Sequence, residues 1–203
     1  MSSKAEQKQK SHQAILESAA TLLRQRGIAA SSVLDVMKGA GLTVGGFYGH
    51  FDSKEQLFTA TLKHAAGIMW QKLLENARGS SPRERVVSVL RSYLSREHRD
   101  TPEAGCFLPN VAAEVAREGE PYRSALAAEL TRFVDSLSAI LDGDGAGAES
   151  GKGSGRSRET ALGLIALMFG ALSLARTLAG TPLSDEFLAA ARRLGARAVS
   201  EQP

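Results

Sequence analysis

The run Thr43-Val44-Gly45-Gly46-Phe47-Tyr48-Gly49-His50, followed by Lys54, gathers two hydroxyls, an imidazole and an ammonium among three glycines. Nothing in it resembles the nucleophile, base and orienter of covalent catalysis. These groups suit hydrogen bonding to phosphate oxygens and base edges in a nucleic-acid groove instead. Each glycine costs about 1 kcal/mol of helix propensity relative to alanine, so the segment is a poor helix by itself. Its advantage is thinness: a bare backbone approaches another surface closely. The four histidines, at 12, 50, 64 and 98, are too scattered for a metal site, and no cofactor is implied.

Elements on either side must position this run. Ser32 is an N-cap candidate with Asp35 at N3; Val33, Val36, Met37 and Ala40 follow at helical spacing, and Gly41 supplies the positive φ that ends a short helix. Leu42 fills the corner. Thr43 then caps a second helix with Val44, Phe47 and Phe51 inward, and with Gly45, Gly46, Tyr48, Gly49 and His50 outward beside Thr43 itself. Two helices joined by a glycine turn form a helix-turn-helix reader of the DNA major groove. Ile15, Ala19, Leu22 and Leu23 predict a bracing helix from Ser11 to Arg26, ended by Gly27. Residues 1–10 are polar and are expected to be disordered without a partner, Lys4, Lys8 and Lys10 lying either in solvent or along a phosphate backbone. Ser53, with Gln56 at N3, caps a long helix to near Ala77 that carries Leu57, Phe58, Leu62, Ile68, Met69, Leu73 and Leu74; its ~24 residues span ~36 Å.

From Leu22 to Leu57, the combination of Gly27, Val33, Val36, Ala40-Gly41-Leu42-Thr43, Phe47-Tyr48-Gly49-His50-Phe51 and Ser53-Lys54-Glu55-Gln56-Leu57 resembles the DNA-binding domain of the tetracycline-repressor (TetR) family. Val44 departs from the lysine or other polar residue that many members carry there. The resemblance implies phosphate contacts from Tyr48 and Lys54, although tyrosine's apolar body would also allow sideways packing on the first helix. Thr43, Gly46 and His50 are the base-edge candidates, and Ser32, Val44, Gly45 and Gly49 complete the surface expected at DNA. The family further implies a homodimer and an effector cavity within a helical bundle.

The remaining chain is all-helical in pattern. Ser81 with Pro82 at N1 starts a helix to about His98, burying Val86, Val89, Leu90, Tyr93 and Leu94; another runs from Cys106 to Arg117, and Pro121 opens one to Leu141. The glycine- and serine-rich segment 142–157 is expected to be a flexible loop. Within it, Gly151-Lys152 lacks the spacing of a phosphate loop, and Asp142 with Asp144 lacks that of a calcium loop. Helices at about 158–178 and 184–200 close an all-α protein of about nine helices, with a DNA-binding domain at 1–57 and a ligand-binding and dimerisation domain at 58–203. The first closing helix is apolar nearly all round, so it is buried within one subunit or, as the resemblance favours, shared in a four-helix dimer contact through Gly163, Leu167, Gly170, Leu174, Phe187 and Leu194.

Trp70, Tyr93, Cys106, Phe107, Asn110, Glu114, Phe133, Phe169 and Ser173 are candidate lining for the implied effector pocket, with Asn110 and Glu114 one turn apart and able to orient a polar group. Cys106 resembles a cysteine that opens this helix in some family members; a buried inert thiol is the alternative. A single cysteine excludes an internal disulfide and suits a reducing cytoplasm. The polar N-terminus has no secretion-signal pattern, and the apolar run from Ala161 to Ala175 is short of the roughly 20 residues that span a bilayer. Residues 1–54 hold seven Lys/Arg against four Asp/Glu, so the net charge of +3 sits on the part expected to meet a polyanion. Together these features predict a cytoplasmic, homodimeric regulator, most simply a repressor released from a palindromic double-stranded operator by a small-molecule effector, with no membrane partner. A helical enzyme with a borrowed helix-turn-helix and a sequence-independent DNA-compacting protein are the alternatives.

Overall fold

A computed structural model of the chain describes residues 3–143 and 155–200. Among these residues there are no strands; there are nine α-helices, α1 (Lys4–Arg26), α2 (Val33–Gly39), α3 (Lys54–Glu75), α4 (Pro82–Tyr93), α5 (Arg96–Asp100), α6 (Leu108–Glu118), α7 (Tyr122–Leu141), α8 (Gly155–Thr177) and α9 (Pro182–Ser200). Two 3₁₀ helices, Val44–Gly49 and Pro102–Ala104, complete the described elements. The chain divides into two compact units, one of Met1–Ile68 with Pro102–Glu129 and one of Met69–Thr101 with Leu130–Pro203. Helices α3 and α7 each continue from one unit into the other.

The first unit begins earlier than apolar periodicity suggests. Ser3 Oγ accepts the Glu6 N–H (3.2 Å) while the Ser3 N–H donates to the Glu6 carboxylate (2.7 Å), a reciprocal capping box that starts α1 at Lys4. The expected disordered tail is therefore helical from that residue. Ile15, Ala19 and Leu23 of α1 are fully buried, and Phe58 and Leu62 of α3 are buried in the same unit. Ile68, one of the apolar residues carried by α3, is exposed.

In the second unit α9 packs on α8 and α4. Gly195 permits that approach: a Cβ there would lie 2.8 Å from Leu90 Cδ1 and 3.3 Å from Leu164 Cδ2. The helix expected from Pro82 to His98 is broken in two. Leu94 leaves helical geometry (φ −93°, ψ 35°), and Ser95 caps α5 by accepting the His98 N–H at 3.1 Å. Carbonyls freed by the break have donors. Arg192 of α9 donates to Leu94 O and His98 Nδ1–H to Tyr93 O (2.6 Å), while Arg176 of α8 donates to His98 O near the end of α5 (2.8 Å). Arg99 and Arg96 both reach Asp185 at the start of α9, at 2.8 and 2.6 Å, and hydrogen bonding from Arg96 and then Arg99 holds the Asp185 carboxyl below its ordinary range.

The helix expected from Cys106 starts at Leu108, with Pro109 in its first turn and Cys106 buried just before it. Of the glycine-rich loop at 142–157, residues 144–154 lie outside the described residues, and Gly155, Arg156 and Ser157 already belong to α8. Helix α8 is, by length and composition, long and apolar enough to cross a membrane. A third of its most apolar window is buried in this single chain, and it packs along α9 as a bundle helix does. Replacing Gly195 with Leu would overfill the contact with Leu90 and Leu164. The expected cost is about 1–3 kcal/mol, measurable as a lower urea midpoint with an unchanged m value.

Candidate nucleic-acid interface

The cap expected at Ser32 is present and shared. Its Oγ accepts the Asp35 N–H (3.1 Å) and donates to the Asp35 carboxylate (2.8 Å), which also pairs with Arg26 of α1 at 2.9 Å. The Ser32 hydroxyl first, and Arg26 after it, hold the Asp35 carboxyl below its usual range. Gly41 (φ +69°) then turns the chain, and the Leu42 N–H returns to Met37 O at 2.9 Å.

The second helix of the reader is a six-residue 3₁₀ helix and not an α-helix, and the Thr43 side chain makes no capping bond. Three glycines in six residues leave too little intrinsic preference to sustain α geometry. Phe47 is fully buried and Phe51 nearly so, their rings 6.0 Å apart, and these two hold the segment down. Val44, expected inward, is 41% exposed one turn before Phe47. Tyr48 meets Phe47 edge-on at 5.2 Å and is 74% exposed, so its phenol faces outward rather than packing on α1. Thr43, Gly45, Gly46 and Gly49 are exposed beside it.

His50, expected to face outward, is instead half-buried beside His12 and Phe51, with its Nδ1 enclosed and without a hydrogen-bond partner. The His12 ring of α1 stacks on Phe51 at 4.8 Å and lies 5.8 Å from the His50 ring. Burial first, then His12 and Lys8, push the His50 imidazole below its ordinary pKa, so it is neutral at pH 7. Lys54 is half-buried, its Nζ 3.4 Å from Ala29 O and 5.7 Å from the Phe58 ring centre. Lys8 was expected either in solvent or along a phosphate backbone, and neither it nor His12 was expected beside His50. They lie four apart on one face of α1, but that is visible only once the helix is known to begin at Ser3.

The expected pocket residues divide between the units. In the second, Trp70 and Phe133 stack with ring centres 4.9 Å apart and both are buried; Tyr93 is buried against His98, and Ser173 Oγ donates to Phe169 O one turn back (2.9 Å). In the first, Cys106 and Phe107 are fully buried, whereas the polar groups of Asn110 and Glu114 go to the end of α1. The Arg24 guanidinium is pushed down in pKa by burial. Gly163, Gly170, Leu167 and Phe187 are exposed or half-buried, with Leu174 at 45% and Leu194 at 57% exposure. The α8 residues recur every three or four positions and the two on α9 lie seven apart, two turns along one face; a Cβ on either glycine would meet nothing within 4 Å.

Residues 15–61 match the family model for bacterial regulatory proteins of the tetR family, and residues 82–191 match that for the tetracyclin repressor-like C-terminal domain. The chain belongs to the TetR family. It is similar to the HTH-type transcriptional repressor KstR2 of Mycolicibacterium smegmatis, 34% identical over 89 residues that make up 42% of each chain. It is also similar to the HTH-type transcriptional repressor NemR of Escherichia coli, 27% identical over 131 residues, 63% of this chain and 65% of that one. These alignments span between about two fifths and just under two thirds of the relatives' length. The crystal structure of reduced E. coli NemR superposes with a TM-score of 0.70 at 25% identity, covering 90% of this chain and 96% of that one. A TetR-family regulator from Cytophaga hutchinsonii shares the fold, with a TM-score of 0.76 at 24% identity over 97% of both chains. The TetR match at the reader starts at residue 15, so Lys8 and His12 lie outside it.

The neutral imidazoles make a signed prediction. Burial is the first cause lowering His50, His64 and His98 alike, so above the unfolded histidine pKa of about 6.5 their contribution to stability is fully present. It fades as pH falls through that value, because the unfolded chain then binds more protons. The thermal midpoint should drop between pH 7.5 and 5.5, and His98→Asn, which retains a donor near Tyr93 O, should flatten the drop. An unchanged midpoint over this window would contradict the assignment.

Proposed function

We propose that the chain is a ligand-responsive transcriptional repressor that binds operator DNA as a homodimer and is released by a small-molecule effector. One observation carries the reading. A glycine-thinned segment, pinned underneath by Phe47 and Phe51, presents Thr43 and Tyr48 outward, with the half-buried His50 at its end. Nothing in that surface requires a substrate or a cofactor; a hydroxyl, a phenol, an imidazole and the nearby Lys54 ammonium offer hydrogen bonds to base edges and phosphates. Similarity to repressors of the same family supports the direction of regulation.

Homodimerisation is supported by the apolar faces of α8 and α9, where Leu162, Leu174, Leu183 and Leu194 are all exposed in the single chain. Two copies packing these faces form a four-helix contact, and the two-fold axis relates two reading segments to the halves of a palindrome. The Trp70 and Phe133 stack is the apolar surface that best fits an effector's ring. A repressor of this kind works in the cytoplasm, where its operator is.

The test is a footprint and gel-shift titration on DNA flanking the protein's own gene. Affinity should fall steeply with salt; Lys54→Ala should weaken specific and non-specific duplexes alike and reduce the log–log salt slope by about 1. His50→Ala should shift the preferred sequence. Binding insensitive to both substitutions would move the interface elsewhere. Gly170→Arg should give monomers by light scattering and a large loss of operator affinity; an unaltered dimer would place the subunit contact on another face.

A further inference from the structure

We propose that Glu114 and Asn110 of α6 are positioning residues for DNA binding, clamping the end of α1 and the turn into α2 so that the reading segment is held in its binding posture. The proposal rests on the repressor reading above. Glu114 Oε2 accepts the Ile28 N–H at 2.6 Å and Oε1 accepts the Ala29 N–H at 3.3 Å. One turn earlier on α6, Asn110 Nδ2 donates to Arg24 O in the last turn of α1. Two side chains of one helix face thus hold three backbone groups in a six-residue stretch.

Gly27 is shaped to this clamp. Its φ of +79° exposes the following N–H groups, and a Cβ there would lie 2.3 Å from Glu114 Oε2. The charge is the informative part. A carboxylate at a helix C-terminus faces the negative end of the helix dipole, the less favourable of the two ends. It is held there by two successive N–H donors beyond the helix, a geometry that needs both carboxylate oxygens.

What the clamp holds is the root of the reader. Within the same turn, Ser31 Oγ donates to Gly27 O (2.6 Å), the Ser31 N–H donates to Ile28 O (3.2 Å), Ala29 O faces Lys54 Nζ, and Ser32 caps α2. The direction of α2 and the position of the Lys54 ammonium therefore follow from residues 27–32. Asn110 and Glu114 fall within the match to the C-terminal family model, whereas the groups they hold fall within the match to the DNA-binding one. Helix α6 is in this sense part of the DNA-binding machinery.

The experiment uses the full chain, the DNA fragment protected in the footprint, and a random duplex of equal length. Glu114→Ala should weaken the protected fragment about tenfold while changing the random duplex less than about twofold, and should speed amide exchange at Ile28 and Ala29 about tenfold or more. Glu114→Gln, which retains one acceptor, should fall between, and covers the case in which Glu114→Ala does not fold. Gly27→Ala should be less harmful in the Glu114→Ala background than alone, because the carboxylate it strikes is gone. A purely structural role would lower the melting temperature and both DNA affinities together, and would overturn the proposal. So would faster amide exchange with undiminished specific affinity, or amides that stay protected in Glu114→Ala. If the wild type protects no DNA, the repressor reading fails and the positioning role fails with it; amide exchange then shows whether the clamp itself exists.

Discussion

The segment proposed to meet DNA cannot hold its own shape. Glycines at 45, 46 and 49 make the segment thin enough to approach another backbone, and the same absence of side chains removes the forces that would keep it wound. Its conformation is imposed from below by Phe47 and Phe51, each worth about 1.5–3 kcal/mol when fully buried, and by the stack of His12 on Phe51. The remaining parts of the first unit act through this dependence. Helix α1 supplies the floor, α2 with its Ser32 and Asp35 cap sets the entry angle, and α6 bonds to the turn between them.

Much of this was legible in the residues because the marks are local. Gly27, Ser32 with Asp35, Gly41, Ser53 with Gln56, and Ser81 with Pro82 each stop or start a helix where its chemistry says it should. Boundaries were missed where local signals compete. Val86, Val89, Leu90, Tyr93 and Leu94 continue one apolar period up to the break at Leu94, and the donor to the freed Leu94 carbonyl is Arg192, far along the chain. The opening turns of α1 have caps and no apolar period, so periodicity alone placed the start too late.

The polar residues of α6 illustrate a different limit. Asn110 and Glu114 at helical spacing among apolar neighbours look like groups awaiting a ligand. Their partners are backbone atoms of Arg24, Ile28 and Ala29, some 85 residues away in sequence, and no spacing rule reaches that far. Side-chain type indicated that these groups must be satisfied; only the fold shows by what.

Around the break between α4 and α5, Arg192 and Arg176 donate to the peptide carbonyls of Leu94 and His98. A guanidinium bonded to a neutral acceptor loses little when counterions crowd the solvent, whereas contacts to a phosphate chain are stripped one ion at a time. These two bonds are of low salt sensitivity, unlike the pairs of Arg96 and Arg99 with Asp185 beside them, and the reader would act through bonds of high salt sensitivity. Ionic strength becomes a selective instrument: it can titrate grip on a polyanion while the bundle stays assembled, so that a salt series reports association and not loss of structure.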